Sequence, residues 1–257
     1  MVRRLWTRDE FMIVFNLYLK TPFGKMYSTN PDVKRIAELI GRTAGSVALR
    51  LANFASCDPI LQQRGIKGMT GGSKQCQPYW DEFFADKEKF VFETEQVLAH
   101  YQKTSLEKKY KRVLSDISDN LTGKDKERIV KTRVNQNVFR AIILANYDST
   151  CALSGIDIPE LLVASHIMPW ADNKEERLNP ENGICLSSIY DKAFDQGLIT
   201  FNDDYKTILS SKIKANVGKT FYADFFEPIE GKQLLTPEKY FPSKRFLEYH
   251  RDVIFNH

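Results

Sequence analysis

The most constraining stretch of this chain is a pair of short apolar runs, residues 161–167 and 182–186, joined by a polar loop and followed by a helix-forming segment over 187–196. The first run ends in His166 and the second opens on Asn182-Gly183. Runs of this length between turn signals read as strands, so the segment reads as a hairpin and then a helix. On that helix Asp191 and Asp195 are four residues apart and share one face. Taken singly, a histidine closing a strand is usually structural, a spaced aspartate pair is usually solvated or capping, and Asn-Gly is usually a turn. Their conjunction, in this order and within some fifty residues, points to a site.

The rest of the composition sets bounds. Of the 257 residues, 42% are hydrophobic and 27% charged, as in an ordinary globular protein of one large or two modest domains. The four cysteines, Cys57, Cys76, Cys151 and Cys185, are scattered without CxxC pairing. That argues against a four-cysteine zinc site or a secreted disulfide framework and fits reduced thiols in a cytoplasm. No apolar run is long enough to span a membrane and no signal-peptide pattern follows Met1, so a cytoplasmic protein with no membrane partner is expected. The net charge of +4 is unevenly spread: residues 1–80 carry +7 and the remainder −3. A basic end beside a nearly neutral one suits a polyanion-binding module, or simply a solvated basic face.

In the basic end, Thr7 and Glu10 form a capping box ahead of Phe11, Val14, Phe15, Tyr18 and Leu19 at helical spacing. A second helix is predicted over 32–40 and a third from Thr43 or Gly45 to about Phe54, joined by Gly41-Arg42-Thr43-Ala44-Gly45. Two short helices about a tight turn read as a helix-turn-helix, or equally as part of a small three-helix bundle. In the helix-turn-helix geometry Arg42, Thr43, Ser46, Arg50 and Asn53 face outward toward a DNA groove, and Arg and Asn are the side chains that pair with guanine and adenine edges. The Gly-rich basic stretch 62–74 is a loop or a phosphate-ordered arm and lacks the spacing of a P-loop.

Residues 78–114 are helical and amphipathic, with aromatics that pack a core. Residues 115–131 are polar and charged around Gly123 and read as a linker. A helix then runs over about 125–147, burying Val134, Val138, Ala141, Ile142 and Ala145. Cys151-Ala152-Leu153-Ser154-Gly155 reads as a strand ending in a turn. After 198 a short hairpin and loops precede a terminal helix over 241–251, in which His250 and Arg251 serve packing and surface charge, or backbone contact.

From Arg133 to Phe201 the sequence resembles the HNH (ββα-metal) nuclease family, in the restriction-endonuclease-type branch without zinc-binding cysteines. The residues that carry the resemblance are Arg133, Gln136, Phe139-Arg140, Cys151-Ala152-Leu153-Ser154-Gly155, Ser165-His166-Ile167-Met168-Pro169-Trp170, Asn179-Pro180-Glu181-Asn182-Gly183 and Phe194-Asp195-Gln196-Gly197-Leu198-Ile199. The resemblance implies that His166 is the general base and that Asn182 braces the hairpin loop and orients the imidazole. Asp191 falls where the motif has its last, metal-binding histidine, and Asp195, one turn on, faces the same ion. Oxygen ligands favour Mg²⁺ or Mn²⁺ over Zn²⁺, and no structural zinc is expected. Ser165 is a second departure, standing where many members carry an Asp or His ligand. Arg177 and Lys192 are candidates for contacting the phosphate backbone.

The expected architecture is α+β and mostly α. A helical, basic DNA-recognition domain (1–114) is followed by the linker (115–131) and an HNH nuclease domain (132–257). The expected activity is metal-dependent cleavage of double-stranded DNA, as in restriction, by a homodimer. Two rivals stand beside it: a DNA-binding regulator with a degenerate motif, and a nonspecific or RNA-directed nuclease.

Overall fold

The computed structural model describes residues 4–66, 71–115, 117 and 122–256. It is mostly helical, with two small antiparallel sheets confined to the second half. Its internal packing divides the chain into two compact units, 1–142 and 143–257.

The first unit is built from α1 (Arg8–Leu19), α2 (Pro31–Leu39), α3 (Ala44–Cys57), α4 (Pro59–Gln63), α5 (Gln77–Ala85), α6 (Lys87–Tyr101) and α7 (Leu106–Lys109). The capping box at the start of α1 forms as the sequence predicts: Thr7 accepts from the Glu10 amide, and Glu10 accepts from the Thr7 amide at 2.9 Å. The sequence suggests one apolar face, yet Met12, Ile13 and Leu17 are buried as well. A helix apolar on every side is a central one, and α1 packs on α2, α3, α5 and α6. At its heart the Phe15 ring meets Phe54, Trp80 and Phe90 edge-on, with centroids 4.9–5.3 Å apart. Glu95, a fully buried carboxylate of this helical core, is met by Lys20, by Lys109 at 2.7 Å and by the Asn16 amide at 2.8 Å, as a buried charge requires.

Helix α8 (Gly123–Asn146) is long and starts inside the stretch read as a linker, so residues 123–131 are its first turns. Residues 116 and 118–121 of that stretch, like residues 67–70 of the Gly-rich segment, lie outside the described residues. The local polarity of 123–131 is that of an exposed helix face, a pattern composition alone does not separate from a linker.

The second unit holds β1 (Leu162–His166), β2 (Gly183–Ser187), α9 (Ser188–Asp195), β3 (Ile199–Phe201), β4 (Thr207–Leu209), α10 (Ser211–Lys214), α11 (Thr220–Phe225) and α12 (Lys244–Tyr249). β1 and β2 pair antiparallel from Leu162–Ser187 to His166–Gly183, and α9 follows β2 without a break and packs on both strands. β3 and β4 form the expected hairpin. Two readings need correction. Residues 151–155 are a turn and not a strand: Gly155 has φ +76°, and the turn is tied to β2 through Ala152 N–H to the Cys185 carbonyl at 2.8 Å. The tail expected as loops contains α10 and α11, each too short for a periodic signal.

Candidate active site

β1 delivers His166 at its last residue, opposite Gly183. The imidazole Nε2 lies 3.0 Å from the Arg177 carbonyl oxygen. A carbonyl can only accept, so Nε2 carries the proton and Nδ1 the lone pair. Trp170 stands edge-on to the imidazole at 5.4 Å. Burial pushes the histidine pKa down to about 4, with the nearby Arg177 charge acting in the same direction, so the ring is neutral at pH 7.

The long β1–β2 loop is held by Asn182, which is 2% exposed. Its Nδ2 donates to the Met168 and Glu176 carbonyls at 3.1 and 3.2 Å, and its Oδ1 accepts from the Met168 amide at 2.8 Å. One buried amide thus satisfies three backbone groups of a loop that has no ladder of its own. Arg177 is turned into the same loop. Its Nε donates to the Trp170 carbonyl at 2.7 Å and its guanidinium lies over the Trp170 ring. The side chain expected to reach for a phosphate is therefore engaged in shaping the loop.

Helix α9 carries Asp191 and Asp195, and both open into the pocket of about 450 Å³ that His166, Ser165 and Trp170 also line. Partial burial raises the Asp191 carboxyl, with the Ser165 hydroxyl acting against that rise. Asp195 is pushed up to about 6, first by desolvation of its carboxyl and then by the Asp191 charge. Two raised carboxyls on one helical face, one of them pushed up in part by the other's charge, mark a place where positive charge is favoured. Lys192 is exposed beside them. Among the described residues no group of three or more His, Cys, Asp or Glu side chains forms a metal cage. A pair of carboxylates fits a hard cation that completes its shell with water and phosphate oxygens, as Mg²⁺ does. It does not fit a closed tetrahedral zinc site.

His250, which the sequence leaves between packing and backbone contact, also lines this pocket. His250 is 1% exposed and stacks on Phe194 with ring centroids 3.7 Å apart and planes 3° from parallel. Its Nδ1 meets Thr200 Oγ1 at 2.9 Å and its Nε2 the Phe194 carbonyl at 3.1 Å. No local signal links it to α9, some fifty residues earlier. The same tail closes over the helix end: Gly197 has φ +63°, and a Cβ there would lie 2.0 Å from the Ile254 carbonyl oxygen. The Asn256 amide donates to the Gly197 carbonyl at 2.9 Å, and its Nδ2 to the Gln196 carbonyl at 2.8 Å.

In the first unit, the outward face assigned to α3 is only partly outward. Thr43, the N-cap, is exposed and Ser46 is half-buried, but Arg50 is 8% and Asn53 3% exposed. Arg42 is held by the Glu10 carboxylate at 2.7 Å and by the Leu5 carbonyl at 2.6 Å. The physical reason is long-range: residues 4–6 and 72–76 pack on this second face of α3, which a helical period cannot reveal. Arg42, Arg50 and Asn53 are therefore not displayed on an exposed recognition surface.

Comparison with known families supports the site alone. Residues 151–202 match the family model of the HNH endonuclease, so this region is an HNH-family nuclease domain, while the N-terminal region is unmatched. Such domains in general use divalent metal cofactors and act on nucleic acid. No curated protein matches the chain. Among the described residues, no helix is long and apolar enough to cross a membrane.

Proposed function

We propose that the chain is a metal-dependent endonuclease that hydrolyses phosphodiester bonds of double-stranded DNA, in the manner of a restriction enzyme. The observation that carries this reading is the convergence of neutral His166 and the Asp191–Asp195 pair on one open pocket within an HNH-family domain.

In this reading His166 is the general base. Its Nε2–H is anchored on the Arg177 carbonyl, and in that tautomer the Nδ1 nitrogen is the basic one that would take a proton from water as the oxygen attacks phosphorus. Asn182 keeps the loop, and through it the ring, in position. Asp191 and Asp195 would hold Mg²⁺ or Mn²⁺, which supplies neutralisation of the scissile phosphate and stabilises the leaving 3′-oxygen. Lys192, exposed on the same helix, adds positive charge for the DNA backbone, and Arg177 shapes the loop that meets it. Thr43 and Ser46, at the start of α3 in the basic helical unit, would approach the duplex in helix-turn-helix fashion. One such site cuts one strand, so double-strand cleavage would take a homodimer, and a cytoplasmic location would suit restriction.

The test is cleavage of plasmid DNA with Mg²⁺ or Mn²⁺ by the wild type and by His166→Ala. Metal-dependent cutting that is lost in the variant is expected. Tight, salt-sensitive DNA binding without cutting would favour a DNA-binding regulator instead, a reading that Ser165 and Asp191 at motif positions support. Degradation of RNA or single strands without sequence preference would favour the nonspecific nuclease.

A further inference from the structure

The residues of α3 withdrawn from the surface line a second cavity, of about 370 Å³, in the first unit. Arg4, Trp6, Arg42, Ser46, Arg50 and Asn53 converge on it. Glu10 pairs with both Arg4 and Arg42. Arg50 has no such partner: it is 8% exposed and forms no ion pair among the described residues. Its guanidinium lies 4.8 Å from the Trp6 ring and 4.5 Å from the Phe11 ring, and its Nε has no hydrogen-bond partner. Its Nη1 has only distant acceptors, the Gly72 carbonyl at 3.5 Å and Cys76 Sγ at 3.8 Å. Asn53, 3% exposed, likewise has an Oδ1 without a partner.

Buried cations are normally paired, and buried amides normally satisfied. An uncompensated guanidinium and an unsatisfied amide on the wall of one cavity call for a ligand with an anionic group and a hydrogen-bonding edge. A nucleotide has both, whereas an inorganic anion has only the first. Aromatic and guanidinium planes at the cavity suit a planar base.

We propose that this cavity receives a single nucleotide of a DNA strand, its base lifted out of the stack. The proposal rests on the reading of the chain as a DNA enzyme. It replaces readout by an exposed helix face with readout inside a pocket, at least for one position of the target.

The experiment uses full-length His166→Ala protein in EDTA, so that binding is measured without cleavage. Calorimetric titration with each of the four deoxynucleoside monophosphates, and with inorganic phosphate, is compared for this protein and for two further variants. Ser46→Phe fills the cavity from a half-buried position, and Arg50→Gln removes the unpaired charge; circular dichroism checks the fold of each. The expected result is saturable binding of at least one mononucleotide, stronger than that of phosphate, and weakened roughly tenfold or more by Ser46→Phe. Duplex DNA should displace it. No mononucleotide binding, equal binding of phosphate, or binding that Ser46→Phe leaves unchanged would each overturn the proposal. Failure of duplex to compete would also overturn it, by assigning the cavity to a free nucleotide. Wild-type protein that binds mononucleotides but never cuts DNA counts against the nuclease reading and not against the pocket. The opposite result separates the two the other way.

Discussion

The Nε2 of His166 lies 3.0 Å from the carbonyl oxygen of Arg177, eleven residues further along the chain. The tautomer of the candidate base is thus fixed by a backbone atom of the loop it faces. His166→Ala should lower DNA cleavage about 10²- to 10⁴-fold, the usual contribution of a general base. DNA affinity in EDTA should stay near the wild-type value. Parallel nicking assays and filter binding check both halves of this expectation.

The Asp191–Asp195 pair should make metal affinity depend on pH. Asp195 holds its proton up to about pH 6, and a proton there competes with a cation. Mn²⁺ affinity should therefore be close to its plateau above pH 7 and fall by up to roughly tenfold per pH unit below 6. Titration calorimetry with Mn²⁺ at pH 5, 6 and 7 tests this. Asp195→Asn should bind more weakly at every pH, with a flatter dependence.

Asn182→Ala would leave three backbone groups of the β1–β2 loop without their partner. A loss of about 2–4 kcal/mol is expected, consistent with orphaned buried groups at roughly 1–3 kcal/mol each and some recovery through water. Urea denaturation of wild type and variant gives the number. An unchanged midpoint would mean that the loop has other means of closure.

Two histidines bias the stability of the second unit in acid. His166 and His250 are both held near 4 by burial, below the unfolded value of about 6.5, so the unfolded chain takes up protons first. Their contribution is whole above pH 6.5 and is lost as the pH falls toward 4. Asp195, raised to about 6, has the opposite sign: the folded form binds its proton first, which adds stability between 6 and 4. Asp191, also raised by burial, acts in the same sense as Asp195. His250→Phe, which keeps the stack on Phe194, removes one acid-labile contribution, so its denaturation midpoint relative to wild type should be higher at pH 4.5 than at pH 6.5.

The elements at the site were legible because each left a local mark. The strand ending in His166 was apolar, Asn182 opened the next strand, and Asp191 and Asp195 had helical spacing. The partners of these groups were not legible. The Arg177 carbonyl is a backbone atom with no sequence signature, and His250 reaches Phe194 only through tertiary packing. The same limit explains α3. Its period marks Val47, Leu51 and Phe54 as core, but nothing in a period says that residues 4–6 and 72–76 cover Arg50 and Asn53 from the other side. Residues 123–131 show the limit of composition, since a charged helix face and a linker share the same residues.

The contact between Gly197 and the Ile254 carbonyl bears on how portable this nuclease motif is. A side chain at 197 has no room, and φ there is already left-handed. Gly197→Ala should thus cost about 3 kcal/mol or more, measurable as a shift in melting temperature. The helix bearing both aspartates ends against a strap that lies some fifty residues beyond the matched region 151–202. Excised at the borders that similarity recognises, the segment would keep its carboxylates and its histidine but lose the fastening that sets the helix end. A graft onto another scaffold would have to carry the chain through to Asn256, making the segment 250–256 as much a part of the inherited tool as the residues that define the family.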